Sequence, residues 1–150
     1  MVDEESKGKD AGLYLCSCTC NKVLYVWDAK GGRQEGFHHI PAPSQGDKTS
    51  KSCHCTIRSV GSDRVIVSGS GGVLFLFQVN GTSNFQRFSG PFQHRLEIFN
   101  IAIMGNAVFT VSKDRNLIHW DIEKLESKMM IPTCGGWIYD ISISPTDPSR

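Results

Sequence analysis

The hydrophobic pattern of this chain is clearest between His94 and Asp121, HRLEIFNIAIMGNAVFTVSKDRNLIHWD. Apolar residues alternate or crowd in three short runs, Ile98 to Ile103, Val108 to Val111 and Leu117 to Trp120. Met104-Gly105-Asn106 and Lys113-Asp114-Arg115-Asn116 separate them, with turn chemistry and no room for a helix. The stretch predicts a small antiparallel meander.

Four residues punctuate it: His94 before the first strand, Ser112 at the end of the second, Asp114 in the turn and Trp120 on the third. Their spacing matches the hydrogen-bonding tetrad of a WD-repeat blade, in which buried Trp, Ser, His and Asp groups satisfy one another. The same pattern recurs along the chain. LYLCSCTC, Asn21-Lys22 and VLYVWD form an earlier strand pair, with Trp27 at the place of Trp120 and Thr19 and Asn21 at those of Ser112 and Asp114. SCHCTI, RVIVSGS and VLFLFQV form a degenerate unit in which Phe77-Gln78 replaces Trp-Asp and Gly71 stands at the turn Asp. The marker aromatics lie 50 residues (Trp27 to Phe77) and 43 residues (Phe77 to Trp120) apart, bracketing the roughly 40–45 residue WD period.

These units predict an all-β fold, a WD-repeat β-propeller: a lead-in over 1–11, a half blade over 12–29, blades over 36–79 and 85–122, and a half blade over 127–150. In the last, SKMMIPT is expected as an outer strand and GGWIYDISISP as the next inner strand. The total is about three blades, where closed propellers use roughly 4 to 8. The propeller is therefore expected to be incomplete, the chain being a piece of a longer protein, a short isoform or a partial gene product.

Composition narrows the function. Sixteen basic against fifteen acidic residues give a net charge of +1, so any nucleic-acid partner must meet a local patch. No run approaches the roughly 18 apolar residues of a membrane span. The start, MVDEESKGKDAG, is no apolar signal segment, and a reducing intracellular compartment is expected. The sequon Asn80-Gly81-Thr82 is then turn chemistry. Cys16, Cys18 and Cys20 share one face of a strand and Cys53-His54-Cys55 lies in another, but structural zinc takes cysteine pairs on tight turns, so no metal is assigned and burial explains the alternation. His94, Ser112 and Asp114 resemble a catalytic set, yet Trp120 completes a structural tetrad and no GxSxG, HExxH or phosphate-loop motif accompanies them. No enzyme activity and no cofactor are expected.

Trp137 and Tyr139, two residues apart on an extended segment, share a face, while Ile138, Ile141 and Ile143 repeat the buried positions of Ile98, Ile101 and Ile103. The tetrad puts Arg95, Lys113 and Arg115 on the same rim as these aromatics. Aromatic faces among cations suit unpaired bases, at roughly 1–3 kcal/mol per stack. Packing of Trp137 between blades, beside solvated charges, is the competing reading.

The stretches SGSGGVLFLFQV, HRLEIFNI, FTVSKDRNLIHWDIEKLES and above all IPTCGGWIYDISISPTDPS resemble the first propeller of the gem-associated protein five family, the snRNA-reading WD-repeat subunits of the SMN complex. The resemblance covers most of the chain and is most specific in its last half. It implies a non-catalytic reader of single-stranded snRNA at the Sm site, acting in spliceosomal snRNP assembly with other SMN-complex subunits. It also implies a cytoplasmic location with a nuclear pool, and no membrane. In that family two rim aromatics that stack on bases fall at Trp137 and Tyr139. Where the family has another stacking Trp, this chain reads Lys51-Ser52-Cys53-His54, so His54 substitutes weakly or the contact is lost. The family's cap-recognising residues fall largely outside this stretch. The alternative function is a WD-repeat scaffold for protein partners.

Overall fold

The computed structural model describes residues 13–41, 54–79, 84–133 and 135–144. The expected lead-in, most of the Pro-rich loop, the sequon, Cys53, Cys134 and Pro145 lie outside them. Among the described residues there are three antiparallel sheets and no α-helix. Sheet 1 holds β1 (Tyr14–Cys18), β2 (Val23–Asp28) and β3 (Arg33–His39) in that order. Sheet 2 holds β4 (Ile57–Val60), β5 (Arg64–Ser68), β6 (Leu74–Gln78) and β7 (Phe85–Arg87). Sheet 3 holds β8 (Ile98–Met104), β9 (Ala107–Ser112), β10 (Asn116–Asp121) and β11 (Glu126–Pro132).

Within each sheet every strand pairs with its neighbour in sequence, as short connections between antiparallel strands require. The sequence units are therefore out of phase with the sheets by one strand. The outer strand expected near Gly36 to Ile40 pairs with β2 and the one expected at SKMMIP with β10, while β7, which the sequence did not single out, pairs with β6. The segment 135–144, expected to be an inner strand, pairs with no strand among the described residues, and without a ladder it is not one.

The alternation seen in the sequence becomes two cores between the sheets. Leu24, Val26, Val67 and Phe77 close the seam between sheets 1 and 2. Ile66, Leu76, Phe88, Ile98, Ile118 and Trp120 close the seam between sheets 2 and 3. Phe77, which takes the marker position in sheet 2, is fully buried and needs no polar partner there, so the missing tetrad leaves nothing unsatisfied at that ring.

One glycine is dictated by a close approach. Gly72, in the turn from β5 to β6, has φ +82°, and a Cβ there would lie 2.7 Å from the His94 Cβ and 2.5 Å from the Leu96 carbonyl oxygen. It lets the turn of sheet 2 press against the segment that leads into sheet 3.

Candidate nucleic-acid interface

The end of sheet 3 that carries the site is fixed by a buried relay. The Trp120 indole Nε1–H donates to Thr110 Oγ1 at 2.8 Å. Thr110 Oγ1 lies 2.6 Å from His94 Nε2, and His94 Nδ1 lies 2.9 Å from Asp114 Oδ2. A carboxylate only accepts, so Nδ1 carries the proton, Nε2 accepts from the threonine hydroxyl, and every group has a partner. Burial, the largest single influence on Asp114, pushes its carboxyl up. The hydrogen bonds from His94 and from the Arg95 and Asn116 amides outweigh it, and the net shift is downward.

The expected central hydroxyl, Ser112, is not in this relay. Trp120 faces Val108 across the ladder, so Thr110 is a diagonal neighbour, roughly 7–8 Å away at the backbone. Ser112 is two residues further, beyond an indole's reach. Ser112 instead accepts from the Asp114 amide at 3.1 Å and donates to the Leu96 carbonyl at 3.1 Å, shaping the turn. Sheet 1 repeats the correction: Trp27 Nε1 reaches Ser17 Oγ at 3.4 Å, while Thr19 Oγ1 bonds the Val23 carbonyl.

Above this frame lies an aromatic cluster. Tyr139 stacks on Phe99, with centroids 5.0 Å apart and planes 18° from parallel. Trp137 lies 6.3 Å from Phe99 and 6.1 Å from Tyr139. The Lys113 ammonium sits 4.5 Å from the centre of the Trp137 ring. Trp137 and Tyr139 are 51% and 64% exposed, so their outer faces are open to solvent. His54 meets Phe99 edge-on at 5.0 Å, and Lys22 Nζ bonds the His54 carbonyl at 2.8 Å, tying the first loop of sheet 2 and the turn of sheet 1 to the cluster.

Phe99 is the member that sequence reasoning missed. The register between β8 and β9 shifts between Ile98 and Asn100, a bulge that places Phe99 as the extra residue. The signal was present: Ile98 and Ile101 are both buried although they lie three apart, which unbroken two-residue alternation forbids.

Of the three expected cations, Lys113 joins the aromatics and the other two stand elsewhere on the same end of the sheet. The Arg95 amide caps Asp114 at 3.0 Å, and its side chain lines a groove with Phe92 and Met130. Arg115 occupies the turn at φ 69°, and its carbonyl accepts from the Thr133 amide and hydroxyl at 2.9 and 2.8 Å. A polar chain continues below the rings. Arg58 Nη2 donates to Asn100 Oδ1 at 2.5 Å, and Asn100 Nδ2 donates to Asp140 Oδ1. The Cys55 thiol donates to the Ser68 carbonyl at 3.3 Å, and the neighbouring Cys18 thiol first, then burial, pushes Cys55 up.

No protein-family model and no curated protein matches the chain. Solved structures do. The crystal structure of the computationally designed Ika8 protein matches with TM-score 0.68 and 15% identity over 89% of this chain and 38% of its own. U3-55K, a WD-repeat protein, matches with TM-score 0.66 and 13% identity over 83% and 37%. The computationally designed Ika4 protein matches with TM-score 0.68 and 15% identity over 89% and 75%. The chain thus spans well under half the length of the first two. At these identities the likeness is one of fold.

Proposed function

We propose that the chain is a partial WD-repeat β-propeller whose rim binds single-stranded RNA by stacking bases on Trp137, Tyr139 and Phe99, without catalysis. The observation that carries the reading is the aromatic cluster itself: exposed Trp137 and Tyr139 gathered about half-buried Phe99, with Tyr139 stacked on Phe99 and the Lys113 ammonium on Trp137. Its open ring faces accept any base, and a neighbouring cation meets the phosphates. Three sheets in series and a WD-repeat protein among the structural neighbours support the propeller. The resemblance of IPTCGGWIYDISISPTDPS to the gem-associated protein five family supports snRNA, read at its Sm site, as the ligand. Spliceosomal snRNP assembly with SMN-complex subunits is then the setting, in the cytoplasm with a nuclear pool.

The test is photocrosslinking of the chain to a U-rich oligonucleotide carrying 4-thiouridine, followed by peptide mapping. Nucleotide attached within 135–144 is the expected result. Attachment of a co-purifying protein at Trp137, with no nucleotide there, would favour the scaffold reading and refute this one.

A further inference from the structure

Two thiols from different sheets meet where sheet 1 packs on sheet 2. Cys18 ends β1, and Cys55 stands two residues before β4. Both are free, and both lie half-buried against the core cluster of that seam. The segments that carry them are tied together beside the sulfurs. The turn after Cys18 closes with the Lys22 amide on the Thr19 carbonyl at 2.9 Å and the Thr19 amide on the Val23 carbonyl at 3.0 Å. From this turn the Lys22 ammonium reaches across to the His54 carbonyl at 2.8 Å, one residue from Cys55. On the other flank of Cys55, the Thr56 amide donates to Ser68 Oγ at 2.8 Å and the Ser68 amide to the Thr56 carbonyl at 2.9 Å.

Cys16 is the contrast. Two residues back on the same face of β1, it lines a cleft with Ser59 and Val65 rather than with a second thiol, and burial pushes it up. Cys20 is exposed in the turn. Among the described residues, no three His, Cys, Asp or Glu side chains gather that could hold a metal ion. The chemistry that Cys18 and Cys55 offer is that of two neighbouring thiols.

The two are not equivalent. The Cys55 thiol aims its hydrogen at the Ser68 carbonyl at 3.3 Å, and the neighbouring Cys18 first, then burial, push it up. Cys55 first, and the Lys22 ammonium after it, hold Cys18 below the ordinary thiol value against the opposing effect of burial. The thiolate, which is the nucleophile, is therefore favoured on Cys18.

We propose that Cys18 and Cys55 are a peroxide-sensitive pair that closes into a reversible disulfide between sheets 1 and 2. The Cys18 thiolate attacks one oxygen of hydrogen peroxide. An S–O bond forms, the O–O bond breaks, and the departing hydroxide takes up a proton to become water. The Cys55 sulfur then displaces the oxygen from the Cys18 sulfenic acid. The S–S bond forms, the S–O bond breaks, and the Cys55 proton leaves with the hydroxide as a second water. The two thiols lose two electrons and two hydrogens, which the peroxide gains, and a thiol reductant reverses the change. The bond closes one residue from His54, which meets Phe99 of the aromatic cluster, but it forms whether or not RNA binds.

The test exposes the reduced full chain to hydrogen peroxide, blocks the remaining thiols with N-ethylmaleimide and maps the peptides. A bond from 18 to 55 that dithiothreitol removes is the expected product. A chain carrying Cys16→Ser, Cys20→Ser, Cys53→Ser and Cys134→Ser keeps only the pair and should form the same bond. In that background Cys55→Ser leaves the Cys18 sulfenic acid without a partner, and dimedone should trap it. With Cys18→Ser instead, dimedone labelling of Cys55 should be about tenfold lower or less at the same exposure. No bond from 18 to 55 in the unsubstituted chain, a bond made to another cysteine in preference, or stronger labelling of Cys55 than of Cys18 would overturn the proposal.

Discussion

Trp120 donates its indole hydrogen to Thr110 at 2.8 Å, diagonally across two strands, and Trp27 reaches Ser17 by the same ten-residue offset. The hydroxyl that a marker Trp needs is therefore the one two residues beyond its ladder partner. Thr110→Val keeps the volume and strands both the indole N–H and His94 Nε2. It should cost about 2–6 kcal/mol, taking about 1–3 for each of the two buried groups left unpaired. Ser112→Ala, at the turn, should cost about 1 kcal/mol. Urea unfolding of both variants checks the order, and a larger loss for Ser112→Ala would contradict the relay.

Acid should act through Asp114. Its carboxyl is held below the ordinary range in the folded chain. Its contribution is thus complete above the unfolded value of about 3.9 and is lost as pH falls through the lower folded value. Asp121 is also lowered, by the Lys124 amide first and then by Lys128, so the informative quantity is a difference between proteins. Wild type should lose stability below about pH 4 more steeply than Asp114→Asn. Parallel slopes in denaturant titrations from pH 6 to pH 2.5 would assign the acid sensitivity elsewhere.

Gly72→Ala should destabilise the chain by about 1–3 kcal/mol. A Cβ would meet the His94 and Leu96 carbonyl oxygens at 2.8 and 2.5 Å, and φ is +82°. Gly105→Ala, at φ +58° with open space around its Cβ, is the control and pays only for conformation, roughly 1 kcal/mol. Thermal melts compare them, and equal losses would remove the steric argument.

Lys113 lies on Trp137 and is the cation best placed to meet a phosphate beside a stacked base. Lys113→Ala should lower the slope of log affinity against log salt by about 0.7, the share of one phosphate on a single strand. Polarisation titrations at several salt concentrations measure it, and an unchanged slope would make the contact structural only.

The strands of sheet 3 were legible in the sequence because period-two alternation and turn residues at Gly105 and Asp114 coincide. The partner of Trp120 was not, since a motif gives spacing along the chain whereas reach depends on ladder register. Ser112 and Thr110 share a face and differ only in how far each lies from the indole. Trp137 and Tyr139 stood out as aromatics among turn residues. Phe99 hid inside an apolar run, because a bulge that turns one residue out of the pleat looks like uninterrupted strand. Arg95 and Arg115 border the turn that holds Asp114, but proximity to a turn does not aim a guanidinium.

The most direct measurement is the affinity of a fluorescent U-rich single-stranded RNA for wild type and for Phe99→Ala, Trp137→Ala, Tyr139→Ala and the β11 control Glu126→Ala. Loss of one stack, about 1–3 kcal/mol, predicts a Kd raised roughly 5- to 150-fold for each aromatic variant, with Glu126→Ala unchanged. Affinities for the three aromatic variants equal to that of Glu126→Ala would contradict the account.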